Sequence, residues 1–202
     1  MGLKKKLINS SINNIKKVKP NLTEEDLEVI EYGLEGLYLT LTKLVIIIVL
    51  SIILHIFKEV LLTILFYNII RFSAFGIHAK KSSYCLISSL IFFIGGPYLG
   101  IYLNINLITK IIISLICLIC IILYAPADTV KRPLINKKKR LRFKIISIIS
   151  STILTILIII YSKNSISNFM LIGFIEATLM ILPVTYKLFG LSYNNYKQYS
   201  NI

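Results

Sequence analysis

The chain has 202 residues and a mass of 23.0 kDa, room for one domain. Hydrophobic residues make up 56% and charged residues 16%, with a mean hydropathy of +0.79; this excludes disorder, collagen and an ordinary soluble globule and reads as an all-α polytopic membrane protein. Lys and Arg number 23 against 9 acids, a net charge of +14. In a soluble domain that balance points to nucleic acid, but the basic stretches lack the aromatic interleaving such binding uses, and the positions of the charges relative to the apolar runs give another account.

Residues 1–36 read as amphipathic helices at the cytoplasmic surface. Met1-Gly-Leu-Lys-Lys-Lys is not followed by a signal-peptide core, so no cleavage is expected. Residues 2 to 19 set Leu3, Leu7, Ile8, Ile12 and Ile15 among lysines, a pattern suited to an anionic membrane surface, and Pro20 breaks it. Thr23-Glu24-Glu25-Asp26 then reads as a helix start, with Thr23 as N-cap and acids in the first turn. Leu27, Ile30, Leu34 and Leu37 follow at helical spacing and lead into the first apolar run.

Residues 37–190 form the membrane domain. A helix needs about 20 apolar residues to cross about 30 Å of hydrocarbon, and six windows qualify: 37–57, 60–77, 82–104, 107–127, 145–162 and 165–186. Gly95-Gly96-Pro97 is expected to interrupt the third, and Gly96-x-x-x-Gly100 fits close helix packing. An even number of spans puts both termini on one side. Placing them in the cytoplasm leaves only Lys58, Lys110 and Lys163 outside, which the positive-inside rule favours. The basic loop at 128–144 and the tail at 191–202 are then cytoplasmic, and the net charge is mostly a topology signal.

One segment can carry chemistry: Arg71-Phe-Ser-Ala-Phe-Gly76-Ile-His78-Ala-Lys80-Lys81-Ser-Ser-Tyr-Cys85, at the cytoplasmic end of the second and third spans. Ser82 is placed to cap the third helix. Cys85 then falls in its first turn, where the helix dipole, with Lys80 and Lys81, favours the nucleophilic thiolate. His78 is the natural general base. Seven residues of unbroken helix would hold the two about 10.5 Å apart at Cα, so the chain has to turn between them, at Gly76 and the polar run 80–83. The bland alternative is an interfacial His beside an inert or palmitoylated Cys.

Cys117 and Cys120 form a C-x-x-C inside an apolar run without further ligands, so they read as core cysteines and no metal is expected. His55 reads as interfacial. Glu176 lies at membrane depth, where an ionisable group is costly and a functional candidate; Arg71 is its natural partner in an ion pair or polar network.

With these residues in place the chain resembles the accessory gene regulator B (AgrB) family of Gram-positive quorum sensing. The likeness rests on Arg71…Gly76-Ile-His78-Ala79…Cys85 and on Tyr124-Ala-Pro-Ala-Asp-Thr129 followed by bases and Pro133, and it covers most of the chain. It implies a cofactor-free integral-membrane cysteine endopeptidase that cuts an AgrD-like precursor peptide on the cytoplasmic face of the bacterial cell membrane. Cys85 would form an acyl-enzyme thioester, His78 would move the proton, and a Cys or Ser of the peptide would close a thiolactone or lactone. Arg71 and Gly76 would support the loop, and Asp128 is a candidate third residue orienting His78. The family's acidic precursor tail has a counterpart in the basic loop, with Lys131, Arg132, Lys137, Lys138, Lys139 and Arg140 as its binding residues. Other expected partners are membrane lipids and, from the family, a second copy in a homodimer; no nucleic acid is expected. The competing class is a non-enzymatic peptide transporter or chaperone, for which Glu176, Arg71 and the broken third span would line a polar path.

Overall fold

The computed structural model describes residues 3–19, 22–77, 82–129 and 133–199. These residues are all-α, with no strand among them: α1 (Leu3–Val18), α2 (Glu24–Ile53), α3 (Phe57–Ala74), α4 (Ser82–Leu90), a π-helical turn (Ile91–Gly95), α5 (Gly96–Tyr102), α6 (Leu107–Tyr124), α7 (Lys137–Ile160), α8 (Ile166–Leu179), α9 (Pro183–Leu188) and a 3-10 turn (Asn195–Tyr199). Two compact units, 1–49 and 50–202, divide the chain.

In the first unit the helix start expected at Thr23 forms as a reciprocal capping box. The Asp26 amide donates to Thr23 Oγ1 (3.2 Å), and the Thr23 amide and hydroxyl donate to Asp26 Oδ2 (3.1 and 2.8 Å). The helix begun there runs without a break into the first apolar window. Leu37, Leu41, Val45 and Val49, spaced four apart along it, are all exposed, a stripe that bulk water does not favour.

The second unit is built around α8, which buries residues on every side, among them Phe169, Leu171, Phe174, Glu176 and Thr178. A helix apolar all round belongs in the middle of a bundle, and α3, α5, α6 and α7 all pack on it. Its closest partner is α3. A Cβ built on Gly173 would lie 2.7 Å from the Thr63 carbonyl oxygen and 2.9 Å from the Tyr67 nitrogen, so the two backbones meet with no room for a side chain. Gly96 and Gly100 serve α5 in the same way: a Cβ on either would run into Glu176 or Ile172 of α8 at 2.5 Å. The small-residue spacing seen in the sequence is therefore a packing device. Asn168 of α8 ties down the end of α5 by donating to the carbonyls of Gly100 (3.1 Å) and Leu103 (3.0 Å). The buried Lys110 of α6 donates to the Ser162 carbonyl (2.8 Å) and the Ser167 hydroxyl (2.6 Å), which satisfies a charge that burial would otherwise penalise.

Among the described residues three helices are long and apolar enough to cross a membrane: Asp26–Ile53, Leu107–Tyr124 and Lys137–Ile160. Of the other windows, the second falls on α3, which is as long as α6 but carries Lys58, Glu59 and Arg71. The third is interrupted at Gly95-Gly96-Pro97 as expected, by a widening of the helix rather than a break. Proline has no N–H to continue the α ladder, and the backbone widens into a π turn there, with the Gly96 amide donating to Ile91 and Phe92, before resuming as α5. The sixth window stops being one helix at Leu179; Pro183 starts α9 after a turn.

Candidate active site

The site begins where α3 ends. The Phe75 amide closes that helix onto the Arg71 carbonyl (3.1 Å), and Phe75 itself turns to φ 56° and ψ −132°, a sparsely populated positive-φ conformation that costs a side-chain-bearing residue about 1–3 kcal/mol. Gly76 follows at φ 111°, open only to glycine. Three neighbours hold this turn. The Arg71 guanidinium reaches forward one turn and donates to the carbonyls of Phe75 and Ile77. The segment after α6 runs alongside: the Ala127 amide donates to the Ala74 carbonyl (2.9 Å) and the Gly76 amide to the Ala127 carbonyl (2.8 Å), making the bridge Phe75–Ala127. Finally the Ile77 amide donates to the Met180 carbonyl at the end of α8 (3.0 Å). The two stretches that carry the family likeness, whose bonded residues lie more than fifty positions apart in sequence, are thus laced together by backbone hydrogen bonds immediately before His78.

His78, Lys80 and Lys81 lie outside the described residues. Cys85 is the fourth residue of α4, which starts at Ser82, so its backbone stands in the first turn as the sequence predicts. α3 ends at Ala74, residues 75–77 are not helical and α4 starts at Ser82; the turn expected between positions 78 and 85 lies outside the described residues.

Asp128 is buried, 3% exposed, and its carboxylate is fully engaged. Oδ1 accepts from the Asn195 amide (2.9 Å) and side chain (3.5 Å), and Oδ2 from the amides of Tyr196 (2.8 Å) and Leu134 (3.3 Å). Its carbonyl accepts from the Tyr186 hydroxyl (2.8 Å). Among the described residues this acid organises the C-terminal segment across the 124–129 loop. Tyr193 adds to the strap by donating to the Tyr124 carbonyl (3.3 Å) and packing edge-on against Tyr186 with centroids 5.1 Å apart. Burial pushes the Tyr193 phenol up to about 12, so it remains a neutral donor throughout the physiological range. Asparagine in place of Asp128 would turn donors toward these amides and leave buried N–H groups unpaired, at about 1–3 kcal/mol each. The D128N variant is expected to lose thermal stability and to be cut by protease between 190 and 199 well before wild type. Wild-type cleavage rates in that variant would remove Asp128 from the machinery altogether.

The structure does not bring Arg71 and Glu176 together as an ion pair. Arg71 is taken up by the loop carbonyls, with Tyr67 at 5.9 Å from its guanidinium carbon. Glu176 is buried against the backbone of Gly96, and neither of its carboxylate oxygens has a hydrogen-bond partner among the described residues. Cys117 is buried in the core and Cys120 partly so, both free, and no group of His, Cys, Asp or Glu among the described residues could hold a metal. In the basic loop Lys131 and Arg132 lie outside the described residues, Lys137, Lys138 and Lys139 are exposed, and Arg140 is half-buried. The Met180 carbonyl, Tyr186 and Asn195 were not foreseen. The first is a main-chain acceptor with no sequence signature, and the others act on partners more than fifty residues away.

Comparison with known proteins places these features in one family. The profile described as Accessory gene regulator B matches residues 8–182. Relatives include an AgrB-like protein of Clostridium acetobutylicum, 30% identical over 185 residues, which span 91% of this chain and 88% of that one. The accessory gene regulator protein B of Staphylococcus epidermidis is 37% identical over 166 residues, 82% of this chain and 84% of the other. That of Staphylococcus aureus is 38% identical over 134 residues, 66% and 71% of the two chains. No solved structure matches the chain.

Proposed function

Because the chain belongs to the accessory gene regulator B family, we propose that it is a membrane cysteine endopeptidase that processes and cyclises an AgrD-like precursor of a quorum-sensing peptide. The observation that carries the reading is the laced turn at 74–77. A surface loop with no catalytic duty has little reason to hold two successive residues at positive φ under an arginine clamp and three backbone hydrogen bonds. Backbone held in sparsely populated conformations is characteristic of functional sites. Here it fixes the direction in which the chain enters His78, seven residues before the helix turn that bears Cys85.

The chemistry then runs in two exchanges. His78 accepts the Cys85 thiol proton as the sulfur attacks the scissile carbonyl carbon. The C–N bond breaks, the leaving amine takes that proton from His78, and the N-terminal part of the peptide remains on Cys85 as a thioester. A thiol or hydroxyl of the same peptide next attacks the thioester carbonyl while His78 takes its proton. The Cys85 sulfur leaves, recovers the proton, and the ring is released. Thioester and thiolactone are nearly equal in free energy, so departure of the cleaved tail or of the ring has to draw the exchange forward. A water-poor site protects the thioester meanwhile.

The proposal includes six spans with both termini and the basic loop on the cytoplasmic side, where the precursor is met. Lys137, Lys138 and Lys139 at the start of α7 face solvent and suit an acidic tail, attracted over a Debye length of about 8 Å at physiological salt. Changing all three to glutamine is expected to weaken precursor binding and flatten its salt dependence, measured by titration at two ionic strengths; unchanged affinity and slope would exclude these lysines. The buried Glu176, unpartnered among the described residues, is the one feature that favours a transporter instead, and Cys85→Ser separates the two readings. A transporter keeps its function with serine, whereas the endopeptidase loses cleavage.

A further inference from the structure

Between the end of α6, the start of α7 and the C-terminal strap lies a cavity of about 310 Å³ that the proposed chemistry leaves unused. It is lined by Leu123 and Tyr124 from α6, Arg140 and Lys144 from α7, and Tyr193 and Tyr196 from the strap. Arg140 and Lys144 are four residues apart, so one helical turn brings both to the same face. Arg140 is held in place by stacking on Tyr196, its guanidinium carbon 3.7 Å from the ring centroid. Neither cation has a hydrogen-bond or acidic partner among the described residues, and the acid of the neighbouring loop, Asp128, has its carboxylate filled by amides. Two half-buried positive charges that converge on a cavity without a counterion call for an anion.

We propose that this cavity binds the phosphate headgroup of an anionic phospholipid. Both flanking helices are long and apolar enough to cross a membrane, and the cavity sits between the C-terminal end of one and the basic N-terminal end of the other. A basic pocket between spans on the cytoplasmic side is where anionic headgroups lie, and tyrosines favour the same depth. The surroundings distinguish a lipid from a water-soluble anion. Leu123 at the rim is 62% exposed, and in the adjacent groove of α7 Leu141 and Ile145 are 60% and 48% exposed. An acyl chain covers such residues; a carboxylate-bearing peptide does not. An occupied cavity ties α7 to the strap that Asp128 holds, so the bound lipid steadies the 124–129 loop. This inference is independent of the cysteine chemistry.

The test uses the full chain in neutral detergent, with dioleoylphosphatidylglycerol or dioleoylphosphatidylcholine added and bound lipid counted by native mass spectrometry. Wild type is expected to retain one phosphatidylglycerol in preference to phosphatidylcholine. The R140Q/K144Q variant is expected to bind it at least about tenfold more weakly, through loss of two charge-assisted hydrogen bonds to the headgroup phosphate. The K138Q/R142Q variant removes the same charge from the adjacent groove of α7 and is expected to stay within about twofold of wild type. If R140Q/K144Q does not fold, Y196L takes its place; it keeps every charge, frees Arg140 and is expected to lose selectivity for phosphatidylglycerol. Equal losses in both charge pairs would mean diffuse attraction and overturn the site. Displacement of the lipid by millimolar inorganic phosphate would assign a free anion instead, and displacement by oligoglutamate without any lipid preference would assign a peptide; either result overturns the lipid assignment.

Discussion

Alanine at Cys85 is expected to abolish cleavage of the precursor, by at least about a thousandfold, and alanine at His78 to do the same. The double variant should be no worse than either alone, because nucleophile and base act as one unit and removing the second partner takes nothing more away. Binding of the precursor should survive all three changes, since neither side chain belongs to the basic loop. The comparison is made with purified protein in liposomes, following peptide cleavage and peptide binding separately. Additive losses would mean that positions 78 and 85 do independent jobs, and the dyad would have to be given up. Loss of binding with loss of cleavage would mean the substitutions act on the fold.

Gly76→Ala is expected to lower cleavage by about a hundredfold or more, the penalty for a catalytic group misplaced by about 1 Å. Two physical effects act at this position. The backbone is at φ 111°, which a Cβ disfavours, and that Cβ would collide with the Arg71 guanidinium and lie 2.5 Å from the Met180 carbonyl oxygen. Met180 is main chain at the end of a buried helix and cannot give way cheaply, so the turn must move, and with it the entry to His78. Arg71→Lys tests the same lace from the other side. A lysine keeps the charge but cannot donate from two fixed nitrogens to the carbonyls of Phe75 and Ile77. Its cleavage should fall while the melting temperature changes little. If G76A and R71K both process precursor at wild-type rates, the laced turn has no part in catalysis.

The helices were legible in the sequence because apolar periodicity and caps are local signals. Thr23 with Asp26 announced the start of α2, and Asn106 and Asn136, whose side chains cap α6 and α7, are residues of the capping type. Span counting was less secure, because Pro97 and Pro183 act differently in context: one is absorbed by a π turn and the other starts a new helix after a break. The motif residues were legible as well, but not how they meet. Nothing local tells that Ala127 pairs with Ala74 and Gly76, or that Arg71 serves main-chain carbonyls rather than the carboxylate of Glu176. An arginine and a glutamate at similar depth suggest an ion pair; here backbone left unpaired by the turn took the arginine first. Asp128 shows the same limit. The sequence offers it as a residue orienting His78, yet among the described residues all but one of the donors to its carboxylate lie in the tail, where composition gave no sign of a strap.

Cleavage and ring closure through one thioester on Cys85 leave a mass signature in the peptide. The chain is reconstituted in liposomes with the precursor peptide and the N-terminal product is weighed, with C85A alongside. The expected result is a released tail and an N-terminal fragment one water lighter than its hydrolysed form, both absent with C85A. A fragment of the full hydrolysed mass would leave a protease without cyclisation, and a tail released equally by C85A would overturn the Cys85 thioester.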